Sequence, residues 1–259
     1  MTEEFAIVHL VRSAKRGSPL LWWSSVVMLV GMAICFALPL IDARLIGGVS
    51  VWEKPAKFFL SLTVEAVTVA WAISLLPRQA LGVKTATWVF VFASWVEMAY
   101  IIYRASRGEA SHFNQTSVVA IIMYALMGVG AVSLVATSAF IGWRIWQNRA
   151  GMVMREAASL GLMLGSVLGL IGGGYLSSHT SHWIGGDLTD ATGLPIFHWS
   201  TTGGDLRVAH FIGLHATQAV PLAGLSGSRL AVYSVALMCI AAMAGAFILA
   251  VMGVPLFRV

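Results

Sequence analysis

Long apolar runs alternate with short polar segments along the whole chain, and the lengths of these runs predict its architecture. A helix that crosses a bilayer needs about 20 mostly apolar residues and satisfies its own backbone hydrogen bonds. We place seven such runs at about 20–40, 56–76, 85–103, 116–143, 156–176, 207–224 and 229–256. The pattern predicts an all-α, polytopic integral membrane protein. Residues 1–259 form a single transmembrane domain of about seven helices, with one long loop, 177–206, between spans 5 and 6.

Composition supports this class and excludes others. Hydrophobic residues make up 58% of the chain and charged residues 10%, whereas soluble domains carry about 25% charged residues. The net charge of +5 is scattered over short loops, as membrane topology requires, so we expect no nucleic-acid partner. Cys35 and Cys239 both fall inside apolar runs, where we expect packing residues rather than a disulfide.

The distribution of Lys and Arg predicts an orientation. With the N-terminus inside, the inner segments hold nine of these residues and the outer segments seven. Acidic loop residues fall mainly on the outer side. We therefore expect the N-terminus inside and the 177–206 loop outside, in a bacterial cytoplasmic membrane.

Span 5 carries small residues at intervals of four: Gly161, Gly165, Gly169 and Gly173. This spacing is typical of helices that approach each other closely in lipid. It predicts helix packing, either within the chain or with a partner subunit or second copy in a homo-oligomer. A ligand contact at residues 172–174 is the alternative.

Three ionisable side chains on three different spans define the main candidate site. At 1.5 Å per residue, Glu65 lies about 13 Å below the start of span 2, Glu97 about 10 Å below Arg104, and His215 about 12 Å below Arg207. Polar residues in membrane helices face the bundle interior or a wet cavity. We therefore expect Glu65, Glu97 and His215 to share one site in the outer leaflet and to carry its chemistry.

Further polar residues surround this expected site. His210 and His215 point about 140° apart on their helix, so they are poor ligands for one ion. Arg104 and Arg107 suit carboxylates, phosphates or haem propionates, with lipid headgroups as an equal alternative. The candidate metal ligands are Glu65, Glu97, His210, His215 and His112, and the candidate cofactor-binding residues are Arg104, Arg107, His112, Arg207 and Gln218.

Several functions fit these residues. Carboxylate and imidazole ligands suit iron, copper or zinc, and paired histidines suit haem b, which favours an oxidoreductase acting on a quinone, lipid or small molecule. Alternatively, Glu65, Glu97 and His215 form the relay of a proton-coupled transporter or channel. A metal-dependent lipid hydrolase uses the same residues. A structural subunit would instead hold Glu97–Arg104 and Glu65–His215 as buried pairs.

Overall fold

The computed structural model describes residues 3–77 and 80–258 of the chain. Its helices are α1 (Glu3–Gly17), α2 (Pro19–Ala37), α3 (Glu53–Ile73), α4 (Val83–Ser106), α5 (Val118–Gln147), α6 (Val153–Ser177), α7 (Leu206–Ala223) and α8 (Arg229–Val251). Two-residue strands form two antiparallel pairs: β1 (Leu45–Ile46) with β2 (Val49–Ser50), and β3 (Trp183–Ile184) with β4 (Gly204–Asp205). Single 3₁₀ turns follow α2, at Leu38–Leu40, and α7, at Gly224–Ser226.

Polar side chains define where the helices begin. Ser18, Ser117 and Ser228 each accept a hydrogen bond from a backbone N–H in the first turn of α2, α5 and α8, respectively. Asp205 does the same for α7. These caps satisfy backbone donors that a helix leaves unpaired at its start. The boundaries in the sequence therefore follow from ordinary capping chemistry.

Six of the helices in the described residues, α2 to α6 and α8, are long and apolar enough to cross a membrane. The prediction of an all-helical, multi-pass membrane bundle is confirmed at this level. Helix α7 falls outside that set, because its 18 residues include Arg207, His210, His215 and Gln218. The segment before the first span is also helical, as α1.

The glycine stripe of α6 packs against α7 of the same chain. Gly161 lies against Pro221, and Gly169 lies against Leu214. A Cβ atom placed on Gly165 would lie only 2.5 Å from Thr217 Cγ2. The helix-packing prediction is confirmed, but α7 covers the stripe. This face is therefore not available to the homo-oligomer or partner subunit that the sequence suggested.

The long loop folds back over one end of the bundle. Asp190 N donates to Gly47 O at 3.0 Å, which joins the loop to the β1–β2 hairpin. Gly204 packs directly against Ala250 at the end of α8. The loop thus covers the ends of helices that are far apart in sequence. Cys35 is buried and Cys239 is half-buried, and both are free.

Candidate functional site

Glu65 lies at a junction of three helices, and its carboxylate accepts hydrogen bonds from neutral donors. Ser138 Oγ of α5 donates to Oε1 at 2.6 Å. On the other oxygen, Thr217 Oγ1 and Gln218 Nε2 of α7 donate to Oε2 at 3.1 and 2.9 Å. Gln218 Nε2 also donates to Thr68 Oγ1 at 3.1 Å. None of the ion pairs found in the described residues involves Glu65.

The two histidines of α7 lie in different surroundings, as their helical phase predicted. The ring of His215 lies close enough to Glu65 to interact with its charge, and it packs edge-on against Phe211 with centroids 4.0 Å apart. His210 instead contacts α6, where its Nδ1 lies 3.1 Å from Gly169 O. Of the two, only His215 therefore belongs to the surroundings of Glu65.

Glu97 lies apart from Glu65 and closer to the loop side. It is 5% exposed, and its Oε1 has no hydrogen-bond partner in the part of the chain that the structure describes. It packs against α5 at Gly130, where an added Cβ would lie 2.7 Å from Oε1. Ser138, the α5 partner of Glu65, is eight residues further along, which is about 12 Å along the helix. The single site expected for Glu65, Glu97 and His215 is thus divided into two groups.

The arginines predicted near Glu97 have other partners. Arg104 Nη1 pairs with Glu109 Oε2 at 2.7 Å, and Arg104 Nε donates to Ala110 O at 3.3 Å. The buried Glu97–Arg104 pair expected for a structural subunit is therefore not formed. Arg107 is exposed at the end of α4. Among the described residues, neither arginine forms an ion pair or hydrogen bond with Glu65 or Glu97, although Arg104 lies 5.9 Å from the centre of the Tyr100 ring.

His112 lies in the loop before α5, within an aromatic group. Its ring centroid is 5.4 Å from that of Phe58 and 5.8 Å from that of Tyr124. Its Nδ1 is 3.1 Å from Ser111 Oγ. Burial, with a further contribution from the charge of Lys54, holds the pKa of His112 well below its usual range. The imidazole is therefore neutral at physiological pH.

Arg207 is the centre of an ion cluster that closes the loop side of the bundle. Its Nη2 lies 2.7 Å from Asp205 Oδ2 and 2.9 Å from Asp190 Oδ1, and it donates to His198 O at 2.6 Å. His182 Nε2 lies 3.4 Å from the same Asp190 oxygen. Burial alone would raise the pKa of Asp190, but His182 and Arg207 outweigh it and lower that pKa.

The start of α3 extends this cluster with residues that the sequence analysis did not assign to the site. Glu53 Oε1 lies 2.5 Å from Lys57 Nζ and 2.6 Å from His198 Nε2. Lys54, between them in sequence, interacts electrostatically with Arg207, Asp190 and Glu97. The spacing of Glu53 and Lys57, four residues apart, was a usable signal for a helix-surface pair. We call Glu53, Lys57, His182, Asp190, His198, Asp205 and Arg207 the loop-side cluster.

The predicted metal ligands do not converge. Glu65, Glu97, His112, His210 and His215 lie in four separate environments, with only Glu65 and His215 together. Within the described part of the chain, no three His, Cys, Asp or Glu side chains come close enough to hold one metal ion. The carboxylate of Glu65 is already engaged by three donors. The donor set therefore does not fit a transition-metal centre built from these residues.

Chemically, the arrangement consists of one internal carboxylate with neutral donors, a second carboxylate with an oxygen unpaired among the described residues, and an ion cluster above both.

Comparison of the chain with protein-family models, characterised proteins and solved structures finds no match.

Proposed function

We propose that the chain is a proton-coupled membrane transporter in which Glu65 is the proton-binding carboxylate. One observation carries the proposal: three neutral donors, Ser138, Thr217 and Gln218, hold this carboxylate inside the bundle. An ionisable group within a membrane bundle is costly and is by default functional. A structural carboxylate is normally neutralised by a cation, which would hold it permanently charged.

Neutral donors leave both protonation states accessible. Hydroxyl groups can rotate, so Ser138 and Thr217 can donate to a carboxylate or accept from a carboxylic acid. Gln218 can do so through its amide. His215, which interacts with the charge of Glu65, places a second ionisable side chain beside this carboxylate. These properties suit a site that is loaded and unloaded in each cycle.

The polar residues above Glu65 indicate the side of the membrane from which protons reach it. The loop-side cluster lies at the bundle end, and Lys54 interacts with both this cluster and Glu97. Glu97 Oε1 and the Tyr100 hydroxyl, one turn apart on α4, are buried and have no hydrogen-bond partner among the described residues. They supply the hydrogen-bonding groups that a proton path into an apolar bundle requires. We infer proton uptake from the side of the 177–206 loop.

The proposal includes α7 as a seventh membrane-spanning helix. Its 18 residues span about 27 Å, close to the thickness of the hydrocarbon core. What supports the crossing is that Gly204, just before α7, packs against Ala250 at the end of α8. The two helices are joined by a short turn, so they run in opposite directions. With the N-terminus inside a bacterial cytoplasmic membrane, the loop and the proton entrance lie outside.

Proton uptake by proteoliposomes tests the proposal. The full-length protein is reconstituted with an internal pH dye, and an inward proton gradient is imposed. We expect Glu65→Gln to reduce uptake to the level of empty liposomes, since the amide cannot bind the proton. The matched control is Glu109→Gln, because Glu109 is a loop carboxylate paired with Arg104, and it should behave like the wild type.

An infrared pH titration gives a second measurement that needs no transported substrate. A carboxylic acid absorption band that disappears in Glu65→Gln but persists in Glu109→Gln identifies Glu65 as the titrating group. If both variants take up protons like the wild type and the band is unchanged, Glu65 is a structural residue and the proposal is wrong. The metal- or haem-dependent oxidoreductase stays a prediction, which metal analysis and an optical spectrum of the same preparation check.

A further inference from the structure

The N-terminal helix α1 carries a basic surface at the end of the bundle opposite the loop-side cluster. His9, Arg12, Lys15 and Arg16 are all exposed, and together with Pro19 they line one depression of about 670 Å³. At 100° per residue, these four side chains fall within about a third of the helix circumference. Four basic side chains therefore border one depression.

Packing of α1 holds this basic surface in a fixed direction. Ala14 is buried on the opposite side of the helix, and Ser13 is buried beside the basic arc. Gly17 lies so close to α3 that an added Cβ would lie 2.8 Å from Ser74 N. The basic side chains therefore stay exposed because the opposite face is fixed against α3.

The depression lies at the level where the first membrane span begins. Pro19, which lines it, is the first residue of α2. Lys15 Nζ lies 5.4 Å from the centre of the Trp23 ring, one turn into that span. Tryptophan is enriched at the membrane–water boundary, where lysine reaches toward the headgroups. The basic depression is thus at the height of lipid phosphates.

An apolar stripe continues from this level into the membrane. Trp23, Val27, Val30 and Ile34 are each more than half exposed, and their spacing places them on one face of α2. The stripe is about 16 Å long, which matches one leaflet of a hydrocarbon core about 30 Å thick. The basic depression matches the charged headgroup of a phospholipid, and the apolar stripe below the depression matches an acyl chain.

We propose that α1 and α2 bind an anionic phospholipid, with its phosphate among Arg12, Lys15 and Arg16 and an acyl chain along the Trp23–Ile34 stripe. Arginine and lysine both bind phosphate, arginine in a bidentate manner. Basic residues beside a membrane span are a recognised form of anionic-lipid recognition. The site is independent of the proposed proton function, because it lies on the opposite side of the bundle from the loop-side cluster.

Native mass spectrometry of the full-length protein in detergent tests the site. Phosphatidylglycerol is titrated against phosphatidylcholine, and inorganic phosphate is added separately as a competitor. In Arg12→Gln/Arg16→Gln we expect phosphatidylglycerol to bind about 30-fold more weakly, from two lost basic contacts. The control Lys84→Gln/Arg149→Gln removes the same charge elsewhere and should bind like the wild type.

A substitution on the apolar stripe distinguishes the binding of a lipid from the binding of a free anion. Val27→Asp should weaken binding of phosphatidylglycerol, whereas a site for phosphate alone would not respond. Three results would each overturn the proposal. They are equal binding of the two lipids, equal binding of phosphatidylglycerol by the two double variants, and displacement of the lipid by millimolar inorganic phosphate. Proton uptake measured on the same variants stays at the wild-type level if the two sites are independent.

Discussion

Replacing Gly165 with alanine tests whether contact between α6 and α7 positions the groups that hold Glu65. The added Cβ would lie 2.5 Å from Thr217 Cγ2 and 2.7 Å from the backbone nitrogen of Thr217. Because backbone cannot rotate away, α7 must shift. Overpacking of this kind costs about 1–3 kcal/mol. Alanine recovers up to about 1 kcal/mol through its higher helix propensity. We expect a net loss of up to about 2 kcal/mol in the free energy of unfolding.

Unfolding in mixed detergent–SDS micelles measures this loss. The control is Gly174→Ala on the same helix, where an added Cβ has no neighbour within 4 Å in the described structure. This control should be neutral or stabilising by up to about 1 kcal/mol. Thr217 donates to Glu65, so Gly165→Ala should also shift the carboxylic acid band of Glu65, and Gly174→Ala should not. Equal stability of the two variants would refute the packing argument, and an unchanged band would refute the link to Glu65.

Two further predictions concern the loop side. Arg207→Lys keeps the positive charge but removes the guanidinium group, which contacts Asp205, Asp190 and His198. Chymotryptic cleavage within 177–206 should therefore be several-fold faster than in the wild type or in Arg107→Lys, and equal rates would contradict the role of Arg207. For His112, burial lowers the pKa in the folded state, so unfolding takes up a proton and stability falls as pH decreases below about 6.5. His112→Phe should reduce the slope of stability against pH below that value, as measured by the same SDS unfolding, and an unchanged slope would show that other groups cause it.

The helices were predictable because each is specified locally. A run of about 20 apolar residues predicts a span without reference to other parts of the chain. Polar residues such as Ser117 and Ser228 mark the helix starts. The interval of four between the glycines of α6 likewise predicts close packing. The identity of the partner helix was not in that pattern, because small residues permit an approach from any helix.

The candidate site was only partly predictable, because depth counted along separate helices ignores how the helices tilt and slide. Counting residues from the helix ends places Glu65 and Glu97 at similar depths. In the structure, however, their contact points on α5 lie about 12 Å apart along that helix. Arg104 shares a helical face with Glu97, but Glu109 in the following loop is its partner. A loop that folds back competes for charged side chains near helix ends, and helical periodicity contains no information about it.

The small residues and the internal carboxylate belong to one arrangement. Gly165 allows α7 to approach α6 until the backbones are in contact, and this fixes Thr217 toward Glu65. Ser166 Oγ donates to Val135 O of α5 at 2.8 Å, which ties α5 to the same helix three residues before Ser138. The donors from α5 and α7 are therefore positioned by α6, a helix that does not itself contact Glu65 among the hydrogen bonds described. Larger residues in the α6 stripe would separate these donors, so the glycine spacing is a requirement of the carboxylate site as well as of the fold.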